Sequence, residues 1–460
     1  MENGKFLKFE EKLLDNLCNI AQKRNYIKQD LYSKYDVKRG LRDQDGRGVL
    51  VGLTEIGDVH SYILDENEMV PVPGRLRYRG YDVNDLVRGF MTDKRFGFEE
   101  ITYLLLFGGL PTKGELEEFV SLLANYQRLP EEFARDMILK APSKDIMNGL
   151  ARSVLALYSY DDNPEDTSIR NVLQQCLKLI ALFPSIVVYC FQAFSHYHGN
   201  KSLYIHSPNP QLSLAENILY MLRPDMQYTP LEADLLDLAL VLHAEHGGGN
   251  NSSFVTHVVT STGTDTYSVI ASALGSLKGP RHGGANIKVI QMIEDIKANV
   301  GNWEDDEELT NYLSKILSKD TFDKSGLIYG VGHAIYSISD PRALILKDYA
   351  GKLASEKGLS KEYNLYASIE RLAPPLVIAK NNLGSKVVCA NVDFYSGFVY
   401  KMLNIPVEMF TPIFAIARIS GWGAHRIEEI VNSGKIIRPA YKSVAPRQQY
   451  IPINQRNCAK

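Results

Sequence analysis

The sequence predicts a mainly α-helical protein with one small β element near its N-terminus. Apolar residues recur at helical spacing along most of the chain, and few segments alternate with period two. The 460 residues exceed what one compact core usually holds, so two domains are expected. No internal repeat or low-complexity tract interrupts this pattern.

The segment 10–28 is charged and amphipathic and reads as a surface or subunit-contact helix. Residues 48–63 carry β-branched residues and glycines and are the best strand candidate, a small hairpin. Residues 75–80 then lead into a helix near 82–89, and helical spacing returns at 98–106, 113–128 and 147–159. The longest apolar run, 179–191, is broken by Pro184 and Ser185 and is too short to span a bilayer; it reads as a buried helix pair or a kinked core helix. A polar loop follows at 196–211. The clearest helix start is Thr229-Pro230-Leu231-Glu232, with a capping Thr, Pro in the first turn and Glu at the third position. That helix runs out at Gly247, which puts His243 and His246 in its last turn. Further helices are expected at 265–277, from Ala285 onward, and at 394–403.

Composition excludes several function classes. Lys and Arg total 51 against 54 Asp and Glu, for a net charge of -3, which is not a nucleic-acid-binding balance. Cys18, Cys176, Cys190, Cys389 and Cys458 are scattered and form no CxxC pair, as expected for reduced thiols in the cytoplasm. The first 17 residues have no apolar core or cleavage site, so no signal peptide is read and no membrane association is expected.

Gly330-Val331-Gly332-His333 is followed seven residues later by Asp340-Pro341-Arg342. The glycines let backbone approach a ligand, the histidine can polarise a carbonyl, and the arginine offers a fork for a carboxylate. A small anionic substrate fits this; a capped helix end with a surface Arg fits it too. His246 at a helix C-terminus favours the protonated imidazole, which suits an anion. His282 just before a helix N-terminus favours the neutral imidazole, which can donate a hydrogen bond to a developing enolate. Asp393 is either a helix N-cap or a carboxylate base at a helix end. Arg418 and Arg438, taken singly, read as surface arginines. His243-Ala244-Glu245-His246 has ligand-like spacing, but it is neither HExxH nor HxxEH and lacks a further ligand nearby, so no metal is expected.

Taken together, the ordered set resembles the citrate synthase family. The matching segments are His243-Ala244-Glu245-His246 with Asn250, the stretch Gly279-Pro280-Arg281-His282-Gly283-Gly284-Ala285-Asn286, the Gly330 to Arg342 pair above, Asn391-Val392-Asp393, and Arg418 with Arg438. The resemblance implies a large domain (1–286 and 405–460) and a smaller inserted one (287–404) that close on a cleft by rotation. It implies Asp393 as the base that deprotonates acetyl-CoA, His282 as the donor to the thioester oxygen, and His333 as the group that polarises the oxaloacetate carbonyl. His246, Arg342 and Arg418 would hold the substrate carboxylates, with Arg438 reaching across a homodimer or dimer-built hexamer. The backbone at Leu327, Ile328, Tyr329, Gly330, Val331 and Gly332 would help bind coenzyme A, a co-substrate; no permanently bound cofactor is implied. Tyr329 stands where many members have proline, and Ser337 where some have a basic residue. Two rivals remain open: a 2-methylcitrate synthase using propionyl-CoA, which differs by about one methylene of pocket space, and a non-catalytic regulatory or scaffolding relative, which should have lost His282, His333 or Asp393.

Overall fold

A computed structural model describes residues 2–43, 47–65, 68–332, 335–381, 387–432 and 434–456. The chain divides into two units, Met1–Leu53 and Thr54–Lys460. The first consists of the helix Glu2–Arg24, the short helix Asp30–Lys34 and a 3-10 turn, Arg39–Leu41. Lys38 bridges Asp36 and Asp43 there (2.8 and 2.7 Å).

The second unit is built of helices around one apolar core, with a three-stranded antiparallel sheet at its start. The strands are β1 (Gly57–Asp65), β2 (Glu68–Tyr78) and β3 (Tyr81–Asp82). The hairpin therefore begins later than the sequence suggests, and Gly48 makes only an isolated bridge with Arg42. Residues 75–78 end β2, and the helix expected near 82–89 follows β3 as Val83–Thr92. Pro71, Pro73 and Gly74 disguise β2, since proline cannot donate to a ladder and is tolerated only where a flank is open. That flank is open here, because β3 pairs only with Arg77 and Tyr78. A Cβ on Gly74 would collide with the Ser339 backbone and the Tyr336 ring, so the hairpin packs directly on segment 336–339.

The apolar run with Pro184 lies inside one continuous helix, Ile169–Tyr197, and not a helix pair. It is long and apolar enough to cross a membrane, yet most of its residues are buried in the core. The helices Lys113–Tyr126, Ile146–Leu157, Leu214–Leu222 and Phe410–Val431 surround it. The helix Pro230–His243 starts at Thr229 with a full capping box, as its sequence dictates. It ends at His243, so His246 lies three residues beyond the helix rather than in its last turn.

Candidate active site

Asp340 organises the first part of the site. It caps the helix Pro341–Glu356, accepting the Arg342 N–H (3.0 Å). The same carboxylate takes Arg342 Nε (3.0 Å) and Nη2 (2.8 Å), so the buried guanidinium is fixed from one side. Its second oxygen also accepts the Val392 N–H (3.1 Å), the first residue of the helix Val392–Met402. One acid thus joins two helix N-termini, where the dipoles favour negative charge. Arg342 lies 5.9 Å from the Tyr336 ring, which meets the ring of the buried His246 in a T-shaped contact with centroids 5.5 Å apart.

Asn391, not Asp393, caps the helix Val392–Met402: its Oδ1 accepts the Asp393 N–H (3.0 Å), and its Nδ2 donates to Gly332 O (2.7 Å). Asp393 falls in the first turn, and its carboxyl is not consumed as a cap. It keeps a partial opening to solvent. Burial nevertheless pushes it up to about 6, against the pull of Arg342 and Arg418 and with a push from Asp340.

The loop before His333 is tied to this turn. Gly332 N–H donates to Cys389 O (2.8 Å), and Asn391 N–H to Gly330 O (2.9 Å). Gly330 has φ +78°, and a Cβ there would lie 2.9 Å from Phe394 and Val289, so only glycine fits. Leu327 is exposed, Ile328 is buried, and the Val331 N–H bonds Ile328 O (3.3 Å). Several backbone groups of 330–332 are therefore engaged within the chain. His333 lies outside the described residues.

Arg418 is not a surface arginine. It sits wholly buried on the helix Phe410–Val431, over the Phe414 ring (4.6 Å), with Nε donating to His243 O (2.7 Å). Neither Nη1 nor Nη2 has a hydrogen-bond partner among the described residues. Burial first, and then Arg342, lower the guanidinium to about 10, against the opposing pull of Glu245. Such orphaned cationic donors call for an anion. The helix comes this close because Gly421 has no side chain; a Cβ would strike Ala244 O and the Glu245 carboxylate. His243 is buried too, and burial with Arg342 and Arg418 holds it well below the ordinary imidazole range.

His282 lies in the turn ahead of the helix Ala285–Asn299, its N–H bonded to Gly279 O (2.8 Å). It is held down at about 4, first by burial and then by Arg418, so it is neutral at neutral pH. The neutral state expected from the helix dipole is present, but burial beside a cation is its main cause. His282 Nε2 meets Ser252 Oγ (3.2 Å), and Trp422 Nε1–H donates to the same oxygen (3.1 Å). The Ser252 proton then turns either to Asn250 Oδ1 (3.0 Å) or to His282 Nε2. In the second setting the imidazole proton sits on Nδ1.

Arg418 thus lies within electrostatic reach of Asp393, His282 and Arg342, and Asp393 also within reach of Arg342. Arg438 is not among them; it is exposed on the segment 434–452, which forms no helix or strand. A family model described as "Citrate synthase, C-terminal domain" matches residues 41–440. The chain belongs to the citrate synthase family. A citrate synthase of Synechocystis is 35% identical over 83% of this chain and 88% of its own length. That of Haloferax volcanii is 33% identical over 92% and 99%. A 2-methylcitrate synthase of Shewanella oneidensis is 32% identical over 83% and 92%. Among solved structures, the citrate synthase of Pyrobaculum aerophilum superposes with a TM-score of 0.72 at 31% identity, covering 91% of this chain and 95% of that one. A ternary complex of the Thermoplasma acidophilum citrate synthase with carboxymethyl coenzyme A and oxaloacetate gives 0.73 at 27% identity, covering 91% and 99%. The chain is accordingly an enzyme of the acyltransferase type, with the helical citrate synthase fold. Against the usual citrate synthase pattern, Tyr329 bonds Asp323 through its hydroxyl (2.7 Å), and Lys288 lies 5.8 Å from its ring. Ser252, Trp422, Tyr336 and the Asp340 bridge are site features that sequence reasoning missed. Only Asp340-Pro341, an Asp before a first-turn Pro, carried a local signal.

Proposed function

We propose that the chain condenses acetyl-CoA with oxaloacetate and hydrolyses the citryl thioester to citrate and CoA. The observation that carries this is a carboxyl raised to about 6 and an imidazole lowered to about 4, both in the field of the buried Arg418. A carboxylate of raised pKa is a better base, and a neutral imidazole N–H can stabilise an enolate oxygen without delivering its proton early. Asp393 takes a methyl proton from acetyl-CoA while His282, with its proton on Nδ1, donates a hydrogen bond to the thioester oxygen. The enol carbon attacks the oxaloacetate carbonyl, polarised by His333; the new alkoxide takes its proton there, and water then cleaves the thioester. Arg342 and Arg418 hold carboxylates, with His246 and Arg438 of the partner subunit. The free Nη groups of Arg418 support that assignment. In this reading the condensation itself uses no metal and no resident cofactor. Coenzyme A is taken along 327–332, where Leu327 presents an exposed apolar side chain. Rotation of 287–404 against 1–286 and 405–460 would exclude water during condensation.

The enzyme would act in the cytoplasm as a homodimer. Tyr441, Tyr450 and Ile453, exposed on the segment that follows Arg438 in sequence, support a partner for that segment. Nothing in the reading needs nucleic acid or a membrane.

CoA-thiol release from purified protein with oxaloacetate tests this, run with acetyl-CoA and propionyl-CoA in parallel. Preference for acetyl-CoA is expected. Preference for propionyl-CoA would assign 2-methylcitrate synthesis, a reading the Shewanella oneidensis relative keeps in view. No release with either would favour the non-catalytic alternative.

A further inference from the structure

A second cluster of ionisable groups is joined to the loop that carries His246 but has no role in the chemistry above. His257 comes from the helix Asn251–Thr260, and His425, Glu428 and Glu429 from the helix Phe410–Val431. His257 Nδ1 meets Glu429 Oε2 at 2.8 Å, and His425 Nε2 meets Glu245 Oε1 at 3.1 Å. An ionised carboxylate only accepts, so each imidazole gives its N–H to its own carboxylate. The other two nitrogens, His257 Nε2 and His425 Nδ1, then face each other at 3.0 Å as two lone pairs. Glu428 completes the group. One oxygen accepts the Glu55 N–H (2.9 Å); the other, Oε2, is buried with no hydrogen-bond partner among the described residues, 3.9 Å from His425 Nδ1.

We infer that His257 Nε2, His425 Nδ1 and Glu428 Oε2 form a site for a divalent transition-metal ion of the zinc class. One ligand atom from each residue lies within 4.8 Å of the others. Ligands about 2.0–2.1 Å from a tetrahedral ion stand roughly 3.3 Å apart, so the two nitrogens need to part only slightly. Two imidazoles and a carboxylate suit zinc or cobalt better than calcium or magnesium, and water would fill the fourth position. Both imidazoles already carry the outer carboxylate that orients a metal-bound histidine and fixes its tautomer. His257 keeps partial exposure, and Gly248, with no side chain, lies where a Cβ would be 3.6 Å from His257 Nε2. An ion there would brace Glu245, which also accepts the Gly247 N–H, and through it the loop bearing His246. This inference does not depend on the proposed reaction.

The test uses the full chain, freed of metal by a chelator and dialysed. Cobalt(II) is titrated in and followed by its visible absorption, then displaced by zinc. One equivalent per chain with a tetrahedral spectrum is expected, together with a zinc-dependent rise in melting temperature. His257→Ala and Glu428→Gln should each bind at least about tenfold more weakly, and Glu429→Gln, which removes only an outer carboxylate, about 10–100-fold more weakly. Circular dichroism of the metal-free variants checks their folding, and the isosteric Glu428→Gln guards against a collapse caused by truncation. No one-equivalent binding by the unaltered chain, or binding unchanged in all three variants, would overturn the site and leave the two imidazoles sharing a proton.

Discussion

Asp393 and His282 show one cause with opposite signs: burial raises the acid and lowers the base. For Asp393 the folded pKa of about 6 lies above the ordinary 3.8, so folding is opposed wherever the group must ionise inside the protein. The penalty is absent below pH 3.8, grows between there and about 6, and is complete above, at no more than ~3 kcal/mol. Asp393→Asn should therefore melt higher than the unaltered chain at pH 8 and lose that advantage as pH falls towards 4; thermal melts across pH measure it. The same variant should lose turnover by about 10²–10⁴-fold while still binding oxaloacetate. In the unaltered enzyme kcat/KM should drop as pH falls through about 6, with His282 neutral throughout that range. Arg418→Met should raise the KM for oxaloacetate by about tenfold or more and abolish melting-point protection by that substrate, because its two free Nη donors are the groups left for it. An unchanged KM would remove Arg418 from the carboxylate clamp. At this scale the chain was legible in residue type and order, and illegible in environment. Arg418 read as a surface residue because burial is set by Gly421, Phe414 and a helix far off in sequence. Ser252 and Trp422 escaped notice because 170 positions separate two halves of one hydrogen bond.

Among the elements, those with strong end signals were legible. Thr229-Pro230 with Glu232, and Asp265 before the helix Thr266–Lys278, fell where caps are found. The helix Phe410–Val431 gave no such signal: it has no side-chain cap and carries Gly421 and Gly423, which local propensity disfavours. Tertiary contact explains Gly421, where a Cβ would strike Ala244 and Glu245; at Gly423 a Cβ would meet Cys176 only in ordinary contact. β2 was hidden in the same way by Pro71, Pro73 and the Gly74 contact. The pairing of 330–332 with 389–391 is the element most exposed to test. Gly330→Ala combines a positive φ with contacts to Phe394 and Val289. It should cost about 1–3 kcal/mol in urea unfolding and lower turnover further than that loss of folded protein explains, since it shifts the Asp393 turn.

On the scale of the whole molecule, Arg438 is exposed on the single chain, whereas Arg342 and Arg418 are buried. If it serves the partner's site, Asp393→Asn and Arg438→Ala chains, each inactive alone, should complement when mixed and reassembled. One site of each mixed dimer is then intact, so activity should return to about a quarter of the unaltered level. No recovery above the sum of the two variants would place Arg438 in its own chain's site or outside both. The helix Ile169–Tyr197 has a consequence during synthesis. Its covering helix Phe410–Val431 follows it by roughly two hundred residues, which the ribosome adds in about 10 to 40 s. For that interval a nascent segment as greasy as a membrane anchor lacks one face of its cover and has Lys113–Tyr126, Ile146–Leu157 and, once made, Leu214–Leu222 for shelter. Holdase chaperones, and any sorting machinery that scans for such segments, would meet the protein there first.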